Sequence, residues 1–308
     1  MFMLLSVTLQ DMCRLIDEIS FFLKKNGFKC SRELRHGLEI IHTMTLDGKH
    51  PRLVLPIEIQ AHTPEKATSD SDGSYQSIQK IKAAEGYPLI ITEDRWKRQR
   101  EMMEARLLAH LEVFGQAYAR NCEVRRIEKA ESQKFLSDNH SYGHAACRYR
   151  YGLFLKRHTG HIAKEMEAMQ GTPEAEGIRD DRGKLIAVAT FSNARKWIKD
   201  GKEIRSYEWT RYASIPDLRV SGGMGKLLKA FIKDIHPDDI MSYADLEWSE
   251  GEVYERLGFK AEAVKDPVLF SIDKETWERL PIKSETSGHL YFRNFGSRKF
   301  RLKLTDYR

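Results

Sequence analysis

The sequence lacks most of the features that would assign it at once. Its four cysteines, Cys13, Cys30, Cys122 and Cys147, lie far apart and form no CxxC pair. That excludes a disulfide framework and a four-thiolate zinc site, and points to reduced, mostly buried thiols in a reducing cytoplasm. No stretch approaches the ~18 apolar residues that a membrane-crossing helix needs. The run MFMLLSVTL has no basic leading segment and no small-residue cleavage site, and Asp11 and Arg14 soon interrupt its apolar character. It is expected to begin a folded element and not to act as a secretion signal. No internal repeat or low-complexity block is visible. What is present is 41% hydrophobic and 10% aromatic side chain, with 31% charged residues and a mean hydropathy of −0.55. That suffices for real cores under a charged surface. The balance of 51 basic to 45 acidic residues gives a net charge of +6 and a pI near 9.0, which suits a polyanionic partner without requiring one.

At 308 residues the chain exceeds the ~100–150 typical of one domain, so two are expected, both α/β. Residues 1–120 read as helix, strands, helices. LQDMCRLIDEISFFLKKNGF has helical apolar spacing and stops at Gly27. LEIIHTMTL and RLVLPIEIQAH read as strands joined by the tight-turn pair Asp47-Gly48, and 63–75 as a polar loop. A short helix, the strand in YPLIITEDRW and the helix EMMEARLLAHLEVFG complete this region. Residues 121–283 alternate strands and helices around two longer strands, GKLIAVATFS and EIRSYEWTRYAS. An excursion at 158–182 holds His158 and His161, a pair with no third ligand nearby in sequence and read as solvated. Residues 284–308 form a basic tail interleaved with aromatics.

The strongest chemical signal is a glycine-rich turn. The strand SYEWTRYAS leads to Arg219-Val220-Ser221-Gly222-Gly223-Met224-Gly225, which opens onto a helix beginning near Lys226. Glycines let a ligand approach the backbone, and the unused N–H groups of a first helical turn attract anions. Such a turn suits a pyrophosphate or is a plain strand-to-helix connection. One helix later a strand ends in Ser242-Tyr243-Ala244-Asp245, and the next helix closes with Tyr254-Glu255-Arg256-Leu257-Gly258-Phe259.

This order resembles the GNAT acyltransferase fold over roughly residues 121–275. The resemblance implies a mixed sheet with flanking helices and acetyl-CoA or a related acyl-CoA as cofactor. Arg219, Gly222, Gly223, Gly225 and Lys226 would then lie at its phosphates, and Arg211 near it. Asp138-Asn139-His140, Glu208-Trp209-Thr210-Arg211, SYAD and Tyr254 are similar to the Mom-like branch of that fold, phage enzymes that modify adenine in DNA. That similarity implies a catalytic His140, Asp245 and Tyr254, with Ser221 assisting, and DNA as partner. The chain departs from these families in the composition of the glycine turn and in Trp248-Ser249, which replaces a Gly-His step.

The chemistry is coherent from the residues upward. An exocyclic amine is a poor nucleophile, so acyl transfer to it gains from a base that takes its proton and an acid that protonates the departing thiolate. His140 or Asp245 is a candidate base and Tyr254 a candidate acid. Each has a structural alternative: a cap or loop brace for Asp245 and His140, a turn residue for Ser221, a core aromatic for Tyr254.

In the first region Asp47 with Glu58 and Gln60 has the outline of a PD-(D/E)xK nuclease, and the element order resembles very-short-patch-repair nucleases. This implies a nuclease-like domain, degenerate and DNA-binding, because glutamine replaces the usual lysine. Arg95–Arg100 (RWKRQR), Arg148–Tyr151 (RYRY) and the tail mix cations with aromatics, a combination suited to phosphate contact and base stacking. The expected function is acyl modification of a DNA base. A GNAT enzyme acting on protein or small-molecule amines and a non-catalytic DNA-binding accessory protein are the alternatives.

Overall fold

The computed structural model describes residues 14–44, 51–156, 183–199, 201–216, 218–282 and 289–306. Asp47, the Asp47-Gly48 turn and the His158/His161 pair lie outside them. The chain forms two compact units. The first comprises Met1–Glu112, Asp245–Glu250 and Lys265–Ser297, the second Val113–Ala244, Gly251–Val264 and Arg298–Arg308.

The first unit opens with α1 (Leu15–Lys25), whose Leu15, Ile16, Ile19 and Leu23 are buried at helical spacing. β1 (Cys30–Arg35), β2 (Leu38–Met44) and β3 (Pro51–Ile57) run antiparallel, and β4 (Leu89–Thr92) lies parallel to β3. The β1–β2 turn is the pair His36-Gly37, both at positive φ, the geometry that matches strand twist in a two-residue hairpin. Between β3 and β4 runs α2 (Pro64–Glu85), so the stretch 63–75 is helix and not loop. Its polar composition conceals a strong start: Pro64 at the first position and Thr63 as cap, its hydroxyl accepting from the Lys66 amide at 3.2 Å. Ala67, Ser71, Ile78 and Ile81 give it one buried face. α3 (Glu93–Arg98) and α4 (Arg100–His110) follow. A second, antiparallel sheet joins β14 (Leu269–Ile272), β15 (Arg279–Pro281) and β16 (Leu290–Arg293) to this unit.

The second unit is built on an eight-stranded mixed sheet in the order β13-β17-β12-β10-β8-β7-β6, with β9 also paired to β10. These are β6 (Cys122–Arg126), β7 (Tyr149–Leu155), β8 (Leu185–Phe191), β9 (Arg195–Lys199), β10 (Lys202–Ser214), β12 (Asp239–Asp245), β13 (Lys260–Lys265) and β17 (Ser297–Lys303). A separate parallel pair joins β5 (Gly115–Tyr118) and β11 (Leu218–Ser221). Helices α5 (Lys129–Asn139), α6 (Gly223–Ile235) and α7 (Glu252–Arg256) flank it. Phe231 of α6 stacks on Phe191 with ring centroids 3.8 Å apart and meets Tyr149, Tyr151 and Tyr207 edge-on, which seats the helix.

The expected boundaries at 120 and 283 give way to an interleaved chain. Within the stretch 284–308, the described residues 289–306 are no free tail. Tyr291, Phe292, Phe295 and Phe300 are buried, and the strands β16 and β17 fall in different sheets. In a strand one face turns inward, so aromatics alternating with cations read equally well as core beside rim.

Candidate active site

The site begins where two parallel strands stop pairing. β10 and β12 are hydrogen-bonded only over Ser206–Glu208 against Asp239–Met241, although β10 continues to Ser214. On its other side β10 stays paired with β8 through Ser214, with a bulge between Trp209 and Arg211. Among the described residues no β10–β12 ladder pair follows Glu208, and the Trp209 carbonyl is met by the Ser242 side chain of β12. A crevice at the carboxyl ends of diverging parallel strands is a recurrent ligand position in α/β sheets.

Tyr254 stands at this notch. Its ring meets Trp209, Phe259 and Phe300, and its hydroxyl lies 2.9 Å from Ser242 Oγ. Ser242 Oγ is also 3.0 Å from the Trp209 carbonyl, which can only accept. A serine hydroxyl has one proton, so when it goes to the carbonyl the phenol donates to Ser242. Burial raises the Tyr254 pKa, against the opposing pull of the Ser242 hydroxyl and the Arg211 guanidinium. The phenol therefore keeps its proton across the ordinary pH range. Gly251, at φ +89°, starts α7, and a Cβ there would strike the Phe300 ring.

Arg211 donates to the Gly143 carbonyl at 3.1 Å and to the Thr210 carbonyl at 2.8 Å, and lies over the Tyr142 ring. Burial lowers its pKa, while Tyr142, Glu208 and Tyr254 support the charge. His140 is the C-cap of α5, and its Nδ1 accepts from the Tyr142 amide at 3.1 Å. The arrangement thus gathers Arg211, Tyr254 and the His140–Gly143 segment. The lone pair His140 would use as a base is engaged by the backbone.

The glycine turn precedes α6 as expected. Gly222 caps it at φ +76°, and the first intrahelical bond runs from the Lys226 amide to the Gly222 carbonyl at 3.0 Å. The N–H groups of Gly223, Met224 and Gly225 precede that bond and are not used by the helix. No acidic residue stands in this first turn. A Cβ on Gly223 would fall 3.2 Å from the Tyr212 hydroxyl, and one on Gly225 3.3 Å from Leu257 Cδ2, so the turn abuts the segment that carries Tyr254. The first turn of α6 thus presents three N–H groups that the helix does not use, next to Leu257, the C-cap of α7.

Several expected residues are placed differently. Lys226 does not reach toward the turn: its ammonium donates to the Ala119 carbonyl at 2.7 Å and the Cys122 carbonyl at 2.6 Å, pinning the β5–β6 connection to α6. Arg219 is exposed and lies over the Phe114 ring. Ser221 ends β11 and accepts from Gln116 at 3.2 Å. Asp245 belongs to the first unit. One of its oxygens pairs with Arg95 at 2.8 Å, and the other accepts from the Glu247 amide at 2.9 Å. Around it Arg279 binds Asp94 and Glu247, and Arg106 donates to the Ile90 and Trp248 carbonyls while stacking on Trp248. Both Asp245 oxygens are thus held by the fold.

The same network accounts for RWKRQR. Arg95 and Trp96 are buried, Lys97 and Arg100 pair with Glu18, and Arg98 with Glu278. In the stretch expected as a tail, Arg293 pairs with Asp72, Lys299 with Glu262, and Arg301 with Glu262 and Asp239. These cations are neutralised within the chain. Glu208, which the sequence offered only as part of Glu208-Trp209-Thr210-Arg211 and without a role, has a half-buried carboxylate on β10 immediately before the bulge, 3.9 Å from Arg195. Its place next to Trp209 in the longest strand was the available signal.

In the first unit Glu58 faces Arg14 at 3.4 Å and accepts from Gln60 at 3.0 Å. Among the described residues no group of three or more His, Cys, Asp or Glu is placed to hold a metal ion. No helix among them is long and apolar enough to cross a membrane.

No family model matches the chain, and no curated protein matches it. Among solved structures it is similar to a histone acetyltransferase HPA2-related acetyltransferase from Corynebacterium glutamicum, with 14% identity, a TM-score of 0.31, and coverage of 61% of this chain and 98% of that one. A Salmonella typhimurium protein described as an acetyltransferase, solved with acetyl-CoA, gives 16% identity, a TM-score of 0.30, and coverage of 61% and 96%. A protein described as a GNAT-family acetyltransferase from Desulfovibrio desulfuricans gives 14% identity, a TM-score of 0.30, and coverage of 60% and 99%.

Proposed function

We propose that the second unit is a GNAT-type N-acyltransferase that uses acetyl-CoA or a related acyl-CoA. The observation that carries this reading is the notch between β10 and β12, with an acid-free helix N-terminus at one side and a proton-bearing Tyr254 at the other. The β10 edge beyond Glu208, which forms no ladder with β12 among the described residues, offers backbone groups to an extended, amide-containing arm, and the amides of Gly223, Met224 and Gly225 suit its diphosphate. When bound, the cofactor supplies an acyl group activated as a thioester. Tyr254 holds a proton at its phenol oxygen for the departing sulfur. Glu208, with its carboxylate at the start of the bulge, takes the proton from the attacking amine, directly or through water. The bond formed is acyl carbon to amine nitrogen, and the bond broken is acyl carbon to sulfur. Asp245 is a brace in this account and His140 a segment anchor beside Arg211.

For the acceptor we propose an exocyclic amine of a nucleobase in DNA, as the resemblance to Mom-like enzymes and the net charge of +6 suggest. The base must leave the stack to be reached. Modification of phage or mobile-element DNA against restriction would follow from that chemistry. The internal pairing of RWKRQR and of the C-terminal cations favours a second reading, a protein or small-molecule amine as acceptor. The first unit is proposed as a nuclease-like DNA-binding domain: its order of helix, three antiparallel strands, helix and parallel strand agrees with that expectation. Nucleosides from cells expressing the chain distinguish the readings by mass. A heavier adenosine absent from a Tyr254→Phe control supports the DNA reading, and unchanged nucleosides beside an active acyl-CoA hydrolysis or transfer assay turn attention to the other amines.

A further inference from the structure

A cavity of the second unit, with none of the notch residues in its lining, lies between α5 and the start of β7. It encloses about 360 Å³ and is lined by Lys129 and Gln133 of α5, His144 and Cys147 of the following segment, and Arg150 of β7. That volume falls within the range of small-molecule pockets, ~300–1,000 Å³. Its charge is one-sided: two fixed cations line it and no carboxylate does. Neither Lys129 nor Arg150 has a carboxylate partner among the described residues. Arg150 is held by one arm only, from Nη2 to the Cys147 carbonyl at 3.1 Å, while its Nε is buried and finds no partner among the described residues. A buried guanidinium N–H left unmatched is unfavourable, so a ligand oxygen that reaches it is favoured. A guanidinium fork with Nε available matches the two oxygens of a phosphate or carboxylate, and a neighbouring ammonium adds attraction without directional demand.

We propose that this cavity binds a small molecule through a terminal oxyanion, a phosphate monoester or a carboxylate, held by Arg150 and Lys129. Gln133 and His144 supply further polar contacts around it, and Ala145 and Ala146 leave room for the organic part. The inference does not depend on acyl transfer, since it rests on Arg150, Lys129 and the cavity alone.

Cys147 reports on the site directly, because its partly exposed thiol lines the cavity. The protein is treated with N-ethylmaleimide, and labelling of Cys147 and of the reference Cys30, in the first unit, is followed by peptide mass spectrometry. Inorganic phosphate, adenosine 5′-monophosphate and acetate are the added probes. At least one probe is expected to slow Cys147 labelling about fivefold or more while Cys30 reacts at its original rate, at concentrations below the ~10 mM that would signal only weak association. Protection by acetate alone assigns a carboxylate, and protection by phosphate or the nucleotide a phosphate monoester. Lys129→Gln, an exposed change that spares the sheet, and Arg150→Gln are each expected to raise the half-protecting concentration about tenfold, the scale of a lost charge-assisted bond. Should Arg150→Gln fail to fold, Lys129→Gln decides. Unprotected Cys147 with all three probes overturns the proposal, as does protection that persists undiminished in the folded variants.

Discussion

Replacing Lys226 with methionine separates two roles that a glycine turn followed by lysine invites. Were the ammonium a phosphate ligand, its loss would weaken cofactor binding and leave stability alone. In the structure it instead satisfies two carbonyls, those of Ala119 and Cys122, at 2.7 and 2.6 Å. Each bond has a charged donor, and such bonds contribute about 1.5–3 kcal/mol when buried. Lys226 is only half-buried, so the lower end applies and the pair together is expected to contribute about 2–3 kcal/mol. Methionine keeps the aliphatic stem and the helix propensity, so the loss is confined to the two hydrogen bonds. For a cooperative unit of this size that corresponds to a fall in Tm of about 4–12 °C. Differential scanning calorimetry reads the stability, and a titration with acetyl-CoA well below the transition reads the affinity. The account predicts a lowered Tm with affinity changed less than about threefold, under 1 kcal/mol. An unchanged Tm with affinity reduced tenfold or more would refute the structural role of Lys226.

Further outcomes rest on the same geometry. Tyr254→Phe removes the proposed acid without removing the ring that packs on Phe300, so kcat is expected to drop about 10²–10⁴-fold with Tm nearly unchanged; a wild-type rate removes the assignment. Because burial raises the phenol's pKa, the proposed acyl transfer by the wild-type protein should show no alkaline loss of kcat from this group below about pH 10, and stopped-flow pH profiles can check it. Gly251→Ala combines a positive φ with a Cβ driven into Phe300 and is expected to destabilise by about 2–4 kcal/mol, read as a lower urea midpoint. Asp94 is pushed up by burial and pulled further down by Arg279, so its net pKa is depressed. The stability it contributes is therefore present above the unfolded value of about 3.9 and lost as pH falls through the lower folded value. In Arg279→Met the buried carboxylates lose that partner and their pKa values rise, so the destabilisation, about 3–5 kcal/mol at pH 8, should shrink at pH 5 as they take up protons. A loss equal at both pH values would show that Arg279 is not neutralising them.

Much of the second unit was legible in the sequence because its signals are local. The glycine turn, the helix after it and the YERLGF segment each announce themselves through backbone requirements that few other residues meet. The fate of charges was not legible. RWKRQR has the composition of a nucleic-acid contact, yet its partners Glu18 and Glu278 lie far away along the chain. Asp245 was likewise picked out by the similarity of its SYAD segment to Mom-like enzymes, and only the fold reveals Arg95 against it. The helix at 64–85 was hidden by a run of polar and small residues that a Thr63 cap and Pro64 start convert into a helical face. Interleaving of the units was beyond reach for a related reason: strands such as Leu269–Ile272 carry no mark of the sheet they will join.

The central claim is that the start of α6 and the adjoining notch receive an acyl-CoA. Met224→Glu tests it directly, because a carboxylate in a first helical turn favours the helix dipole but repels a diphosphate. Isothermal titration of the wild type with acetyl-CoA should give a dissociation constant between about 1 μM and 1 mM, weakened tenfold or more in the variant at an unlowered Tm. A folded wild-type protein that takes up no acetyl-CoA or other acyl-CoA at millimolar concentration, or a variant that binds as tightly as the wild type, would contradict the account.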